Sequence, residues 1–560
     1  MYLTENPVLQ RELLMNLRSP RAFLLLLFYL LALGSTVVLA WPRTERLELA
    51  LETVEAGATA VGNEARSLVD LFFVGQYLLC ALLAPSFTAG AITMEKERQT
   101  YEMLLASPLK PGAIIVGKLL AALCHLGLLV FASLPVVVLC LPLGGVSLYE
   151  LLVSYVMLVF STITFGVISL SASAYFRRTS AALIVSYLLI LPLALAGAGL
   201  WGMLGQADVS LLLLAGGTLL PAAAVALWSV LLSATARRLL HPPDVGSEGR
   251  EVIDEDEEQR RAVGLVLERG RFPDNLFAPA ERQTLLDDGV NPVLDKEMRS
   301  EILGQGTRML RIVIQVSMLL AIPLMYYCFY ANQPQWAAWY VNYVLLFNVL
   351  VGPVFAAGSV TSERERQSLD LLLTTTLTSW QILSAKWLAA LRVSGVLTLF
   401  LVWPLLLAAL LVDDYWSNFA AIAAWLAIIA LCCVTTATVA LFASVVSRRS
   451  SSSLMGTYVV IVVLFMLPLA ATYFGERFYA QSAATQLAVG TSFASPFAAA
   501  LSVPLDVEMR RGELGPWVRY EYYARSWSIV WGYLVFYTGL NAALVGVMHW
   551  LFGIRWRVAQ

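Results

Sequence analysis

Apolar blocks of roughly 20 residues, each long enough to cross a bilayer, recur from one end of this chain to the other and constrain its fold more than any other feature. Ala22–Ala40 and Ala181–Leu200 are two of them, and Gly456–Leu469 is the apolar centre of a third. A helix rises 1.5 Å per residue, so about 20 residues traverse a hydrocarbon core of about 30 Å. One water-soluble core could not bury so many blocks in a chain of 560 residues. Charged residues make up 14% of it and mean hydropathy is +0.73, whereas soluble domains are about 25% charged. The sequence therefore predicts an all-α polytopic membrane protein.

About six spans precede residue 237, near 22–40, 68–92, 112–141, 150–175, 181–204 and 208–235. About six follow residue 307, near 308–330, 337–361, 380–411, 417–446, 452–473 and 527–553, giving about 12 in all. The stretch between them is polar and holds the acidic run EVIDEDEE from Glu251 to Glu258, which reads as a solvated linker. The expected organisation is a first six-span repeat over 1–236, an acidic linker over 237–285 and a second six-span repeat over 286–560.

The two halves are copies of one unit. NPVLQRE at Asn6–Glu12 returns as NPVLDKE at Asn291–Glu297. PSFTAGAITMEKERQTYEMLL at Pro85–Leu105 returns as PVFAAGSVTSERERQSLDLLL at Pro353–Leu373. Arg177-Arg-Thr-Ser180 returns as Arg448-Arg-Ser-Ser451, so three matches fall in the same order. Basic residues (Arg11, Arg18, Arg21, Lys96, Arg98, Lys110, Lys118, Arg177, Arg178, Arg237 and Arg238) mark one membrane face, and the short loops 141–149, 331–336 and 412–416 lack Lys and Arg. The basic face is expected to be cytoplasmic. An even number of spans inserts both copies the same way up, as parallel repeats with a path near their interface.

A net charge of -2 argues against a nucleic-acid-binding surface. All six cysteines lie within apolar blocks and read as small packing residues. Polar residues run to Arg21 with no convincing cleavage site after the first span, so no cleavable signal is expected.

The repeated charged segment carries the functional information. Glu95, Arg98 or Gln99, and Glu102 have helical spacing and would form one polar stripe, repeated by Glu363, Arg366 or Gln367, and Asp370. Ser362 and Glu365 have the spacing of a capping box. No nucleophile, histidine or metal-ligand spacing accompanies these charges, so their use is to dock a cytoplasmic partner and receive its movement. A single such run reads most simply as a solvated loop. Two copies that keep residue identity as well as charge favour docking.

These residues resemble the permeases of ABC-2-type ABC transporters: an amphipathic leading helix, two spans, an E-[KR]-E-R-Q-[TS]-x-[ED]-x-L-L segment, then four spans. The resemblance implies two half-permeases fused in tandem, with cytoplasmic ABC ATPase subunits beneath that bind ATP and magnesium. It makes Glu95, Glu97, Arg98, Gln99 and Glu102 one ATPase-coupling helix, and Glu363, Glu365, Arg366, Gln367 and Asp370 the other. Residues 6–18 and 291–309 would be interfacial leading helices, and the chain itself no enzyme. It further implies an exporter in the plasma membrane with both termini cytoplasmic, and a loop over 474–526 outside the cell.

Inside the spans, Phe72, Gln76 and Tyr77 in one half, and Tyr340, Tyr343 and Asn348 in the other, read either as path-lining or as packing residues. Pro85 and Pro353 are candidate hinges. Arg392 reads as a functional charge or as a side chain snorkelling to the interface, and His125 as a packing residue. GAIIVGKL at 112–119 falls one letter short of a phosphate-binding loop, with Leu119 where Ser or Thr would hold magnesium. Its second copy, WQILSAKW at 380–387, keeps the lysine of the loop pattern but neither glycine, so the likeness is accidental and ATP is expected on another chain. Two other classes fit these residues less well. A secondary transporter or channel wants ionisable groups deep in the spans, and they are scarce; a membrane enzyme wants clustered carboxylates or histidines, and the outer loops scatter theirs.

Overall fold

In a computed structural model, the described residues are 7–17, 54–97, 100–138, 147–176, 179–204, 218–240, 291–299, 337–365, 367–411, 418–448, 450–478, 483–505 and 526–559, with Trp416 and scattered positions in 26–38 and 315–326. They are helices and turns throughout, with no strand among them. Nine helices among them are long and apolar enough to cross a membrane, and Ala181–Gly197 is a shorter apolar helix. The described positions within the expected spans 22–40 and 308–330 are helical as well. The expected linker, 237–285, lies almost wholly outside the described residues.

The chain divides into two compact units, Met1–Asp254 and Glu255–Gln560. In the first, α1 (Pro7–Leu17) precedes α2 (Val54–Thr88), the short α3 (Gly90–Glu97) and α4 (Tyr101–Leu105), then α5 (Pro111–Val138), α6 (Leu148–Tyr175), α7 (Thr179–Leu204) and α8 (Leu220–Leu240). The second unit repeats that order with α9 (Pro292–Arg299), α10 (Ala337–Ala357), α11 (Thr361–Glu365), α12 (Leu369–Leu373), α13 (Ser379–Leu411), α14 (Phe419–Val446) and α15 (Ser450–Ile461). A π-helical turn at Val462–Met466 leads into α16 (Leu467–Phe478), then α17 (Ala483–Gly490), α18 (Pro496–Leu501) and α19 (Trp527–Ala559). The last spans α8 and α19 correspond, because Trp228 donates to Thr164 at 2.9 Å where Asn541 donates to Thr435 at 2.9 Å.

In lipid, apolar burial drives helix association weakly, and close backbone approach matters more. The central helix α14 obeys that rule: its buried face includes Cys432, Cys433, Thr435, Thr436, Ala437 and Ala440. Gly352 of α10 meets it, and a Cβ added there would lie 2.7 Å from Thr436 Oγ1. Asn348 of α10 joins three spans, donating to Thr398 of α13 at 3.1 Å and accepting from Thr436 of α14 at 3.2 Å. The free cysteines Cys80, Cys432 and Cys433 are buried, as packing residues would be.

Candidate functional site

Each unit gathers its repeated charges at one end of its helices, and a buried lysine holds them together. Lys118, in the second turn of α5, is 4% exposed and pairs with Glu12 of α1 at 3.4 Å and Glu95 of α3 at 3.2 Å. Lys386 of α13 pairs with Glu297 of α9 at 2.5 Å and with Glu363 of α11 at 3.8 Å, and also donates to the Ser359 carbonyl at 2.8 Å. A buried ammonium needs several partners to offset its lost hydration. Here two glutamates arrive from elements far apart in sequence, and each hub ties the leading helix to the charged segment and the third span. Asn291 caps α9 by accepting from Val293 at 3.0 Å, with Pro292 at the first helical position.

The motif is a helix stop, not one continuous stripe. In the first unit α3 ends at Glu97 and α4 starts at Tyr101. The Thr100 N–H bonds back to the Glu95 carbonyl at 2.9 Å, and the Thr100 hydroxyl bonds the Glu95 carboxylate. The second unit shows the whole turn: Ser368 N–H to Glu363 carbonyl at 2.9 Å, Gln367 N–H to Arg364 carbonyl at 3.2 Å, and the Ser368 hydroxyl on the Glu363 carboxylate. These are the bonds of a Schellman turn, whose left-handed residue is usually glycine. Gln367 occupies it with φ 57°. The expected single stripe fails because the backbone reverses hand between Glu363 and Asp370. The expected capping box fails too: Ser362 lies inside α11, its N–H bonded to the Gly358 carbonyl at 2.9 Å, so it does not start a helix.

The neighbouring motif residues fasten this turn to the fourth and fifth spans. Lys96 Nζ donates to the carbonyls of Ser173, Ala174 and Phe176 at 3.3, 2.6 and 2.9 Å, satisfying the C-terminus of α6 where a cation is favoured. Arg364 does the same for α14, donating to the carbonyls of Ser447 and Val445. Glu97 accepts from the Thr179 N–H at 2.7 Å at the start of α7. Beneath the turn, buried Ser173 accepts from the N–H groups of Ile92 and Thr93 at 3.0 Å each. Ser444 accepts from Val360 and Thr361 at 3.0 and 3.1 Å.

The sequence-predicted coupling residues thus divide. Glu95 and Glu363 face inward into the hubs, and Glu97 is exposed but caps α7. Glu365 and Gln367 are exposed at the turn. Glu102 and Asp370 are exposed on α4 and α12, each followed by a bare apolar side chain: Met103 is 76% exposed and Leu371 71%. Arg98, Gln99 and Arg366 lie outside the described residues. Sequence reasoning missed the ion pairs of the two lysines, and missed Glu12, Glu297, Met103 and Leu371. The available signal was identity across the repeats, since Glu12 matches Glu297 and the lysine of GAIIVGKL survives in WQILSAKW while both glycines are lost. That stretch is helical from Pro111 onward and its lysine is ion-paired, which excludes a phosphate-binding loop in this geometry.

The intramembrane candidates sit in packing networks. Gln76 donates to Tyr29 at 2.7 Å and Ser133 at 2.5 Å, while Tyr340 donates to the Leu401 carbonyl at 2.8 Å. Phe72, Tyr343 and Asn348 are buried. Pro85 lies inside α2 and Pro353 inside α10, each ten positions before the first glutamate of the charged segment. His125 is 7% exposed beside the Phe87 ring, and Arg392 is half-buried in α13.

Duplicated helical units of this kind, with their charges knitted at one end, define a polytopic α-helical membrane protein. The family model of ABC-2 family transporter proteins matches residues 7–215 and 248–553, and the chain belongs to that family. It is accordingly a membrane-spanning permease component of an ABC transporter. No curated protein matches the chain significantly.

Proposed function

We propose that this chain is both permease halves of an ABC exporter in one polypeptide, driven by a separate cytoplasmic ATPase that binds ATP and magnesium. The plasma membrane is its location, and the charged end of each unit with both termini faces the cytoplasm. The observation that carries this reading is the repeated exposed pair Glu102–Met103 and Asp370–Leu371. An acid beside a bare apolar side chain suits a partner cleft with an apolar floor and a basic rim. The same exposed pair stands at matching positions of both units, as a docking face shared by two like partners would require.

Movement of the docked short helix passes through the Schellman turn to the hub, and so reaches α1 and α5, or α9 and α13, together. Lys96 and Arg364 carry it to the fourth spans. Closing and opening of the ATPases would then alternate access to a path between the repeats. The test is the paired variant Met103→Asp/Leu371→Asp, coexpressed with the ATPase subunit. A buried apolar anchor is worth about 2 kcal/mol, or roughly 30-fold in affinity. Loss of ATPase association with intact membrane insertion is expected. Wild-type association would overturn the docking assignment.

A further inference from the structure

Near the end of the first unit opposite its charges lies a cavity of about 310 Å³ between α2, α6, α7 and α8. Its volume sits at the lower end of ligand sites, about 300–1,000 Å³, and is about twice that of an apolar cavity that holds one benzene. The wall is apolar, with Phe73, Phe165 and Leu227 among its residues. Tyr77 lines it too, with its hydroxyl at the Gly197 wall. Gly197 makes room for that hydroxyl, since a Cβ there would lie 2.3 Å from Tyr77 Oη.

The second unit fills the corresponding space with its own chain. There α18 packs against α10, α14 and α19, the counterparts of three of the four cavity walls. Trp425 stands where the first unit has Ser154, is fully buried, and donates to the Ala500 carbonyl at 3.0 Å. Tyr537 stands where the first unit has Ala224 and donates to the Ala494 carbonyl at 2.5 Å. Ser154 and Ala224 both line the first-unit cavity. The two large side chains of one unit thus hold an inserted segment where the other unit has small residues and space.

We infer that the first-unit cavity binds the acyl chain of a bilayer lipid, with Tyr77 donating to the lipid's ester carbonyl. Two placements argue for this occupant. The cavity's lining residues Leu193 and Leu227 are exposed, and Leu227 lies on a helix long and apolar enough to cross a membrane, so the medium that suits the mouth is hydrocarbon. Tyr77 precedes Glu95 by about 27 Å of helix, which spans nearly the whole hydrocarbon core of about 30 Å. Its hydroxyl therefore lies near the far interface, at the depth of ester groups.

The test uses the full chain in nanodiscs of phosphatidylethanolamine and phosphatidylglycerol that carry an acyl-chain diazirine, with cross-links mapped by peptide mass spectrometry. Lipid cross-links to residues 157–165 are expected in the wild type. They should fall at least fivefold in Ser154→Trp/Ala224→Tyr, which copies the second unit, while cross-links at exposed Val535 stay unchanged. Tyr77→Phe, which removes one hydroxyl and keeps the ring, should lower lipid retention in native mass spectrometry about threefold. Equal labelling of the filled variant would overturn the inference. So would cross-links from a photoreactive residue at Met157 to residues 205–217 in place of lipid.

Discussion

Replacing Lys386 by methionine removes the ammonium that Glu297, Glu363 and the Ser359 carbonyl share. The lysine side chain is 1% exposed, whereas the Glu297 and Glu363 side chains are 19% and 12% exposed. At an effective dielectric of about 20, unit charges 2.5 Å apart attract by about 7 kcal/mol. Dehydrating each ion offsets several kcal/mol of that, so the pair itself adds little over an apolar replacement. Breaking it is another matter: Glu297 loses the ammonium it meets at 2.5 Å, and Glu363 is left with the exposed Lys296 at 2.7 Å, at a cost of about 3 kcal/mol, the low end for a broken buried pair. A loss of 3 kcal/mol lowers the folding equilibrium more than 100-fold at about 1.4 kcal/mol per decade.

The assay is denaturant unfolding of the full chain in mixed micelles, followed by tryptophan fluorescence. A double-mutant cycle between Glu297→Gln and Lys386→Met should return a coupling of about 1.5 kcal/mol or more. Adding Glu363→Gln to that pair should change stability little further, because Glu363 keeps Lys296 at 2.7 Å when Lys386 is gone. The matching cycle between Glu12→Gln and Lys118→Met should be weaker, because those contacts are longer, at 3.4 and 3.2 Å. A Lys386→Met variant as stable as wild type, with a coupling under about 0.5 kcal/mol, would refute the hub.

Other outcomes follow from the same network. Gln367→Gly relieves a left-handed residue and should raise stability by about 1 kcal/mol, read in the same unfolding assay; a loss instead would show that the glutamine side chain holds the turn. Ser444→Ala orphans two buried N–H groups and should cost about 2–4 kcal/mol, whereas a neutral result would remove it as an anchor of the turn. Glu97→Ala deletes a cap on α7 and should cost about 1 kcal/mol, with hydrogen exchange at Thr179 rising; unchanged exchange there would argue against the cap.

Much of the architecture was legible because it is written locally. Span length follows from runs of apolar letters, and duplication from matching words such as NPVLQRE and NPVLDKE. The charged segment was legible as a place but not as a mechanism. Helical spacing joined Glu95 to Glu102 in one stripe, while the folded chain stops the helix between them. Nothing in the spacing of ERQS requires a left-handed glutamine, because the two bonds of that turn are backbone bonds.

The sequence by itself determined a duplicated bundle of membrane helices with its charges at one end, since each span's hydropathy and each repeated word is a property of neighbouring residues. The tertiary structure alone decided which charges are buried. Lys118 meets Glu12 across 106 positions of sequence, and an isolated lysine near a helix end carries no mark of that distant partner. It also decided that one unit folds a segment against Trp425 and Tyr537 while the other keeps a cavity beside Ser154 and Ala224. Side-chain volume at those positions has meaning only once four helices stand around them.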